Sequence, residues 1–258
     1  MTLWERAAER SRSALASGAL APFTTREETI DDEGIAFSVR VVSSLAARRA
    51  ATVRGKNPFL DPDPELVVEA AWGPAHRLLL NKFPVLDDHL LITTREFVPQ
   101  QGILDEVDFE ALLEALRATD GLGFYNGGPD AGASQPHRHL QVVRAPIGAA
   151  GRFPTEARLT DGTAPFPFVA AAMPIDAGSA RVAYLGLLER LGRPAAWNLL
   201  ATMDLLVVVP RVREAVGRVS VNALGYAGSL FAGNVEELEE VRRLGPCALV
   251  RAVAGGVS

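Results

Sequence analysis

Cysteine is almost missing from this chain: Cys247 is the only one in 258 residues. That excludes an intramolecular disulfide and any CxxC zinc-binding pair. It also predicts a reducing, cytoplasmic location. A basic surplus is missing too, with 26 Lys+Arg against 31 Asp+Glu and a net charge of −5. Without a basic stripe to follow a phosphate backbone, general nucleic-acid binding is disfavoured. No apolar run is long enough to cross a bilayer. The one stretch that looks long and apolar, Ala164 to Ile175, is broken by Pro165, Pro167 and Pro174. Glu5, Arg6, Glu9 and Arg10 stand where a signal peptide needs an apolar segment, so no secretory leader or membrane partner is expected. Two phosphate-binding signatures are also absent: neither GxxxxGK[ST] nor GxGxxG occurs.

What remains is an ordinary soluble composition, 48% hydrophobic and 22% charged. The length suits one large domain or two small ones fused. The cations are nearly all arginine. Lys56 and Lys82 are the two lysines, and both stand beside asparagine, proline and phenylalanine: Lys56-Asn57-Pro58-Phe59 and Asn81-Lys82-Phe83-Pro84. A position that resists the arginine bias suits a compact ammonium rather than a planar fork.

Periodicity predicts an amphipathic helix over 3–17 and strands over 24–30 and 35–42, joined at Asp31-Asp32-Glu33-Gly34. Strands are expected at 65–70, 76–81 and 90–94, with links short enough for an antiparallel meander. Asp105 caps a helix reaching Ala118, in which Phe109, Leu112, Leu113 and Leu116 share one face. Strands follow at 121–126 and 135–143. Residues 145–178, rich in Pro, Gly and Ala, read as a linker or insertion. A helix over 179–191, strands over 197–201 and 205–209, and a charged helix from Asn234 to Leu244 complete the reading. A weak internal repeat sets Leu79-Leu80 and Asp88 to Ile92 against Leu199-Leu200 and Asp204 to Val207. The second copy carries no histidines.

Histidine is scarce, at four residues, and two of them lie in Asn126-Gly-Gly-Pro-Asp-Ala-Gly-Ala-Ser-Gln-Pro-His-Arg-His-Leu-Gln-Val-Val143. In an extended strand His137, His139 and Gln141 share one face, about 6–7 Å apart. A zinc site would need a third and fourth ligand, and only His76 and His89 remain without a cysteine pair. General acid–base catalysis and nucleophilic attack by a neutral imidazole on phosphorus are the other chemistries open to such a pair. The surroundings favour the last. Gly127, Gly128 and Gly132 let backbone amides approach an anion and form a nest. Ser134, Gln135 and Gln141 add neutral donors, and the lysines can offset phosphate charge. His76 and His89 read as structural histidines. Arg211 and Arg213 read as solvated surface residues.

Ser134-Gln-Pro-His-Arg-His-Leu-Gln141 resembles the S-x-P-H-x-H-x-Q motif of the transferase branch of the histidine-triad superfamily. That branch includes galactose-1-phosphate uridylyltransferase and diadenosine tetraphosphate phosphorylase, or ATP adenylyltransferase. The chain is more similar to the latter family. Lys56-Asn57-Pro58-Phe59, Asn81 to Val85, His89 to Thr93, Pro99-Gln100, Phe124-Tyr125-Asn126, Asn198-Leu199-Leu200 and Asn222 to Ser229 resemble it in the same order. Residues 145–178 and Thr202-Met203-Asp204 depart from the pattern.

The resemblance implies an α+β fold, an antiparallel sheet with packed helices, built from two related halves. The organisation expected is a catalytic histidine-triad-like half over 1–150, a linker or insertion over 151–178, and a degenerate second half over 179–258. It also implies phosphorolysis of diadenosine 5′,5‴-P1,P4-tetraphosphate with inorganic phosphate, giving ADP and ATP through an AMP–histidine intermediate. His139 would be the nucleophile, His137 its orienting partner, and Gln141 and Ser134 donors to the phosphoryl oxygens. Lys56, Asn81, Lys82, Asn126, Gly127, Gly128 and Gln135 would contact substrate. A divalent cation, Mg²⁺, would arrive on the polyphosphate, with no metal held by the protein itself. A sugar-1-phosphate nucleotidyltransferase and a non-catalytic nucleotide-binding protein are the alternatives.

Overall fold

A computed structural model describes residues 1–23, 25–42, 57–148 and 151–256. Lys56, Arg48, Arg49 and Arg54 lie outside the described residues. The N-terminal helix α1 (Leu3–Ser17) starts at a capping box, in which Thr2 accepts from the Glu5 amide and the Glu5 carboxylate accepts from the Thr2 amide. It ends at Gly18, whose φ of 77° an L-residue rarely adopts. Strands β1 (Thr25–Asp32) and β2 (Ile35–Val42) form an antiparallel hairpin.

Strands β3 (Val67–Trp72), β4 (His76–Leu80) and β5 (Leu90–Thr94) form the expected antiparallel meander. Helix α2 (Glu106–Thr119) carries a second capping box, between Asp105 and Asp108. After it come β6 (Leu122–Gly127) and β7 (His139–Val143). The strand expected from Gln135 begins only at His139. Pro136 has no amide to give a ladder, and the chain just after it is claimed elsewhere: the Arg138 amide donates to the Val98 carbonyl at 2.7 Å and Gln100 donates to the Pro136 carbonyl at 2.8 Å.

The stretch expected as a linker holds a short helix α3 (Glu156–Thr160) and strand β8 (Val169–Ala172). Helix α4 (Ala177–Arg190), β9 (Ala196–Ala201) and β10 (Leu205–Arg211) follow. A small hairpin, β11 (Ala215–Val216) and β12 (Val219–Ser220), leads to α5 (Ala223–Tyr226), β13 (Ser229–Ala232) and α6 (Val235–Leu244), which Asn234 caps. Gly245 ends α6, and Pro246 then sits in the first turn of another helix, α7 (Pro246–Val253). Proline is well suited there, because that amide has no partner within the helix.

Besides the β11–β12 hairpin, the described strands form two sheets. The larger runs β3-β4-β5-β7-β6-β9-β10-β8, antiparallel at every step. The smaller runs β1-β2-β13, with β13 parallel to β2. Each is therefore shared between the two halves of the sequence: β6 pairs with β9, and β2 with β13. The two hairpins of the weak repeat, β4–β5 and β9–β10, lie on either side of β7 and β6.

Period-two alternation assigns each face of the large sheet. Leu78, Leu80, Leu90, Ile92, Leu140, Val142, Tyr125, Leu199, Leu206 and Val208 point into one core, against α1, α2 and α4. Leu122, Phe124, Val143, Leu200, Val207 and Val209 point the other way, against Phe37, Val39 and the C-terminal helices. On that second face, over β4, β5 and β7, the second core gives way to a small cluster of Phe59, Leu79 and Leu91. There the sheet floors a cleft. Cys247 is buried in the second core, and burial pushes its thiol pKa up to about 12. Among the described residues, no helix is long and apolar enough to cross a membrane.

Candidate active site

The cleft encloses about 1020 Å³. Small-molecule sites typically enclose about 300–1,000 Å³, so it is large for one. Its floor is the end of β7, where His139 and Gln141 point up, with Asn126 beside them on β6. Phe59, Asn81, Lys82, His89, Ser134 and Gln135 also line it. The opposite wall comes from the C-terminal half, through Arg218, Ser220, Asn222, Leu224 and Asn234.

His139 is held on both its backbone and its ring. The side-chain oxygen of buried Gln100 accepts from the His139 amide at 2.7 Å. The Gln100 nitrogen donates to the carbonyls of His139, at 3.2 Å, and Asn126, at 2.9 Å. The Tyr125 hydroxyl and the Gln100 amide bind Gln100 in turn to its surroundings. His139 Nδ1 lies 2.9 Å from the His137 carbonyl. A carbonyl only accepts, so the proton is on Nδ1 and the lone pair of the neutral ring is on Nε2. The Phe59 ring packs against the imidazole, with centroids 5.1 Å apart.

His137 does not share the cleft. It is fully buried, with Phe59 and Phe97 meeting it edge-on at 5.6 and 5.5 Å. Its Nε2 donates to the Thr94 carbonyl at 2.9 Å and to the Thr94 hydroxyl at 2.8 Å, and that hydroxyl passes its own proton to the Glu96 carbonyl. Nδ1 accepts from the Asn57 carboxamide at 2.9 Å. Burial pushes the pKa of this ring down, over the opposing pull of its bonds to Thr94, so it is neutral near pH 7. Its part in the site is its backbone carbonyl, which accepts the His139 proton.

Arg138, between the two histidines, points to the other face of the sheet. It is buried and ion-paired with Asp108 of α2 at 2.8 Å, and His76 meets the other carboxylate oxygen at 3.0 Å. Burial alone would raise the Asp108 pKa; the His76 hydrogen bond and the Arg138 charge outweigh it and hold the carboxyl below its usual range. His76 is thus structural, as its sequence surroundings imply. His89 is not only structural: its Nε2 lies 2.8 Å from the Gln141 side-chain oxygen, inside the cleft wall.

The glycine loop corrects one expectation. Gly127 and Gly128 do not line the cleft. A Cβ on Gly127 would meet the Trp197 carbonyl at 2.9 Å, and one on Gly128 would meet Gln101. Nor does the loop make an open nest of amides. Gly128 donates to the Asn126 carbonyl, Gly132 to Pro129, and Ala131 and Ala133 to Gly128. The loop closes on itself in a 3-10 turn at Pro129–Ala131 and presents Gly132, Ala133, exposed Ser134 and Gln135 to the cleft. Gly132 is required where it stands: its φ is 85°, and a Cβ would sit 3.0 Å from the Asn222 backbone.

Arg211 is a second correction. It is buried, not solvated. One nitrogen donates to the Arg213, Glu214 and Val221 carbonyls, and another to Ala131 and to the Asn198 side chain. Asn198 passes two bonds on, to the Asn126 side-chain oxygen at 2.8 Å and the Ala131 carbonyl at 2.9 Å. The Ala223 amide also donates to that Asn126 oxygen, at 2.9 Å. With its oxygen so engaged, Asn126 offers the cleft its NH₂ group. Sequence patterning could not give Arg211 or Gln100 these roles, because their partners are distant in the chain and the residues fit no local period. Among the described residues, the one group of three His, Cys, Asp or Glu side chains close enough to share a metal is Asp32, Glu33 and Cys247, none of which lines the cleft.

Residues 1–161 match the family model of the Ap4A phosphorylase N-terminal domain, and 163–255 that of the ATP adenylyltransferase C-terminal domain. Among curated proteins, the chain is 26% identical to diadenosine 5′,5‴-P1,P4-tetraphosphate phosphorylase 2 of Saccharomyces cerevisiae, over 83% of this chain and 80% of the relative. It is 28% identical to Protein APA1 of the same yeast, over 75% and 74%. The crystal structure of yeast Ap4A phosphorylase Apa2 superposes with a TM-score of 0.84 at 24% identity, covering 98% of both chains. The same enzyme in complex with AMP gives a TM-score of 0.81 at 26% identity, over 94% of this chain and 93% of that one.

Proposed function

The chain belongs to the Ap4A phosphorylase and ATP adenylyltransferase family, and on that premise we propose that its cleft carries out phosphorolysis of diadenosine 5′,5‴-P1,P4-tetraphosphate. The enzyme is a nucleotidyltransferase. Its substrates are the dinucleotide and inorganic phosphate, and its products are ADP and ATP.

The observation that carries the mechanism is the 2.9 Å bond from His139 Nδ1 to the His137 carbonyl, at the floor of the cleft. It puts the lone pair on Nε2. That lone pair attacks the α-phosphorus of one adenylyl unit, the bond to the bridging oxygen breaks, and ATP leaves. AMP is then held on His139 by a P–N bond. An oxygen of inorganic phosphate attacks the same phosphorus, the P–N bond breaks, and ADP leaves with His139 restored. Splitting one displacement into two predicts ping-pong kinetics. Gln141 and Ser134 donate to the phosphoryl oxygens, where charge grows in the transition state. Lys82, exposed at the cleft, offsets polyphosphate charge, as does Lys56; Gln135 and the Asn126 NH₂ contact substrate.

Mg²⁺ would be carried by the substrate. The cleft wall offers neutral amides and dispersed carboxylates such as Asp61 and Asp63, which suits an ion coordinated by phosphate oxygens rather than a protein cage. When bound, it would neutralise phosphate charge. We place the enzyme in the cytoplasm, on the strength of its single buried thiol.

Intact-mass measurement tests the reading. Wild type incubated with the dinucleotide alone gains one AMP, and His139→Ala gains none. Normal release of ADP and ATP by His139→Ala would overturn the assignment of the nucleophile.

A further inference from the structure

Two asparagines beside the lysines are used in the same way. The Phe59 amide donates to the Asn57 side-chain oxygen at 3.0 Å, and the Phe83 amide donates to the Asn81 side-chain oxygen at 3.2 Å. A backbone amide can only donate, so each carboxamide is oriented without ambiguity, oxygen toward the amide and NH₂ away from it. Each NH₂ then meets a histidine Nδ1: His137 at 2.9 Å from Asn57, and His89 at 3.2 Å from Asn81.

The second chain runs on into the cleft. If His89 Nδ1 accepts from Asn81, the proton of the neutral ring is on Nε2. Nε2 lies 2.8 Å from the Gln141 oxygen, so it donates there. The Gln141 carboxamide is then oriented too, with its oxygen on His89 and its NH₂ turned to the cleft that it lines. Turned the other way, Gln141 would present an oxygen to the phosphoryl oxygens and repel them.

We propose that His89 is a positioning residue for nucleotidyl transfer: through a hydrogen-bond chain that starts at the Phe83 amide and passes through Asn81, it fixes which end of Gln141 faces the transferring phosphoryl group. The proposal rests on the phosphorolysis reading above. It gives Asn81 an indirect part, since the structure places its oxygen on Phe83 and its NH₂ on His89. The chain is worth most where charge changes. A donor oriented before the reaction needs no rearrangement as the phosphoryl oxygens gain charge.

Nitrogen-15 NMR of the four histidines reads the first link directly. Expected is a His89 ring with its proton on Nε2 and its lone pair on Nδ1; the opposite tautomer overturns the proposal. Kinetics read the second link. His89→Ala and His89→Asn lower the rate of AMP–histidine formation by roughly 10–10²-fold with KM changed by less than about threefold, the pattern of an interaction realised only in the transition state. His89→Gln, whose side-chain nitrogen reaches as far as Nε2, stays within about threefold of wild type. In a Gln141→Ala background, His89→Ala adds less than about a twofold further loss, because the group it orients is gone. If instead the two losses multiply, His89 does not act through Gln141 and the relay is refuted. If wild type itself forms no ADP and ATP from the dinucleotide and phosphate, the phosphorolysis reading fails first, and the NMR result separates the two failures.

Discussion

Gln100 is the residue whose removal tests most of the site. It is 2% exposed and makes three hydrogen bonds with one side chain, to the amide and carbonyl of His139 and to the Asn126 carbonyl. In Gln100→Ala the buried His139 amide has lost its acceptor. An orphaned buried donor costs about 1–3 kcal/mol. The two carbonyls lose less, since Asn126 still accepts from the Gly128 amide at 2.9 Å. With some lost packing, about 2–4 kcal/mol is expected in total. For a chain of this size, a loss of 3 kcal/mol lowers Tm by roughly 6–12 °C. The kinetic effect should be larger than the thermal one suggests. His139 is no longer held at its backbone, and a displacement of about 1 Å can cost on the order of 10²-fold in rate. Gln100→Glu is the informative companion. It keeps an oxygen for the His139 amide but turns a carboxylate toward two carbonyls, so it should not rescue either property. Calorimetry and single-turnover formation of the AMP adduct measure both effects. A Gln100→Ala protein that melts within about 2 °C of wild type and forms the adduct at the wild-type rate would refute the clamp.

Three further outcomes follow. Asp108→Asn removes the charge that balances buried Arg138 and should cost about 3–5 kcal/mol in denaturant unfolding, with the larger share from the stranded guanidinium. The depressed pKa of His137 has a defined sign: the unfolded chain takes up a proton near pH 6.5 that the folded ring resists, so this group's contribution to stability is intact above that pH and is lost as pH falls below it. His137→Gln should therefore show a shallower loss of stability between about pH 6.5 and 5 than wild type, in unfolding experiments at a series of pH values. Gly132→Ala forces a side chain onto a positive φ and into the Asn222 backbone, and should cost about 1–3 kcal/mol in Tm measurements, with a rise in KM as the far wall of the cleft shifts.

Much of the fold was readable because its causes are local. The caps at Asp105 and Asn234 bind residues three apart, and such spacings are visible in the string of letters. Period-two alternation likewise placed His139 and Gln141 on one face of a strand, but it wrongly added His137, which lies before the strand and outside the cleft. The C-terminal helix went unread because Gly245-Pro246 stops one helix and starts another with the same two residues. Strand β8 went unread because its proline-rich flanks resemble a linker, although β10 supplies its partner.

The sequence by itself determined the chemistry. Two histidines and a glutamine at alternate positions beside a glycine loop sufficed to point at attack on phosphorus, and the resemblance of the SQPHRHLQ string to a family motif pointed at nucleotidyl transfer. Tertiary structure alone decided which groups hold that chemistry in place. Gln100 meets His139 across 39 residues, His89 meets Gln141 across 52, and Arg211 reaches Ala131 across 80. It also decided that His137 is buried while His139 faces the cleft, because the chain around Pro136 pairs with residues 98–100 instead of extending the strand. The physical reason is one of range. Caps and alternation depend on neighbours along the chain, whereas a buried polar group takes whichever partner the fold brings to it.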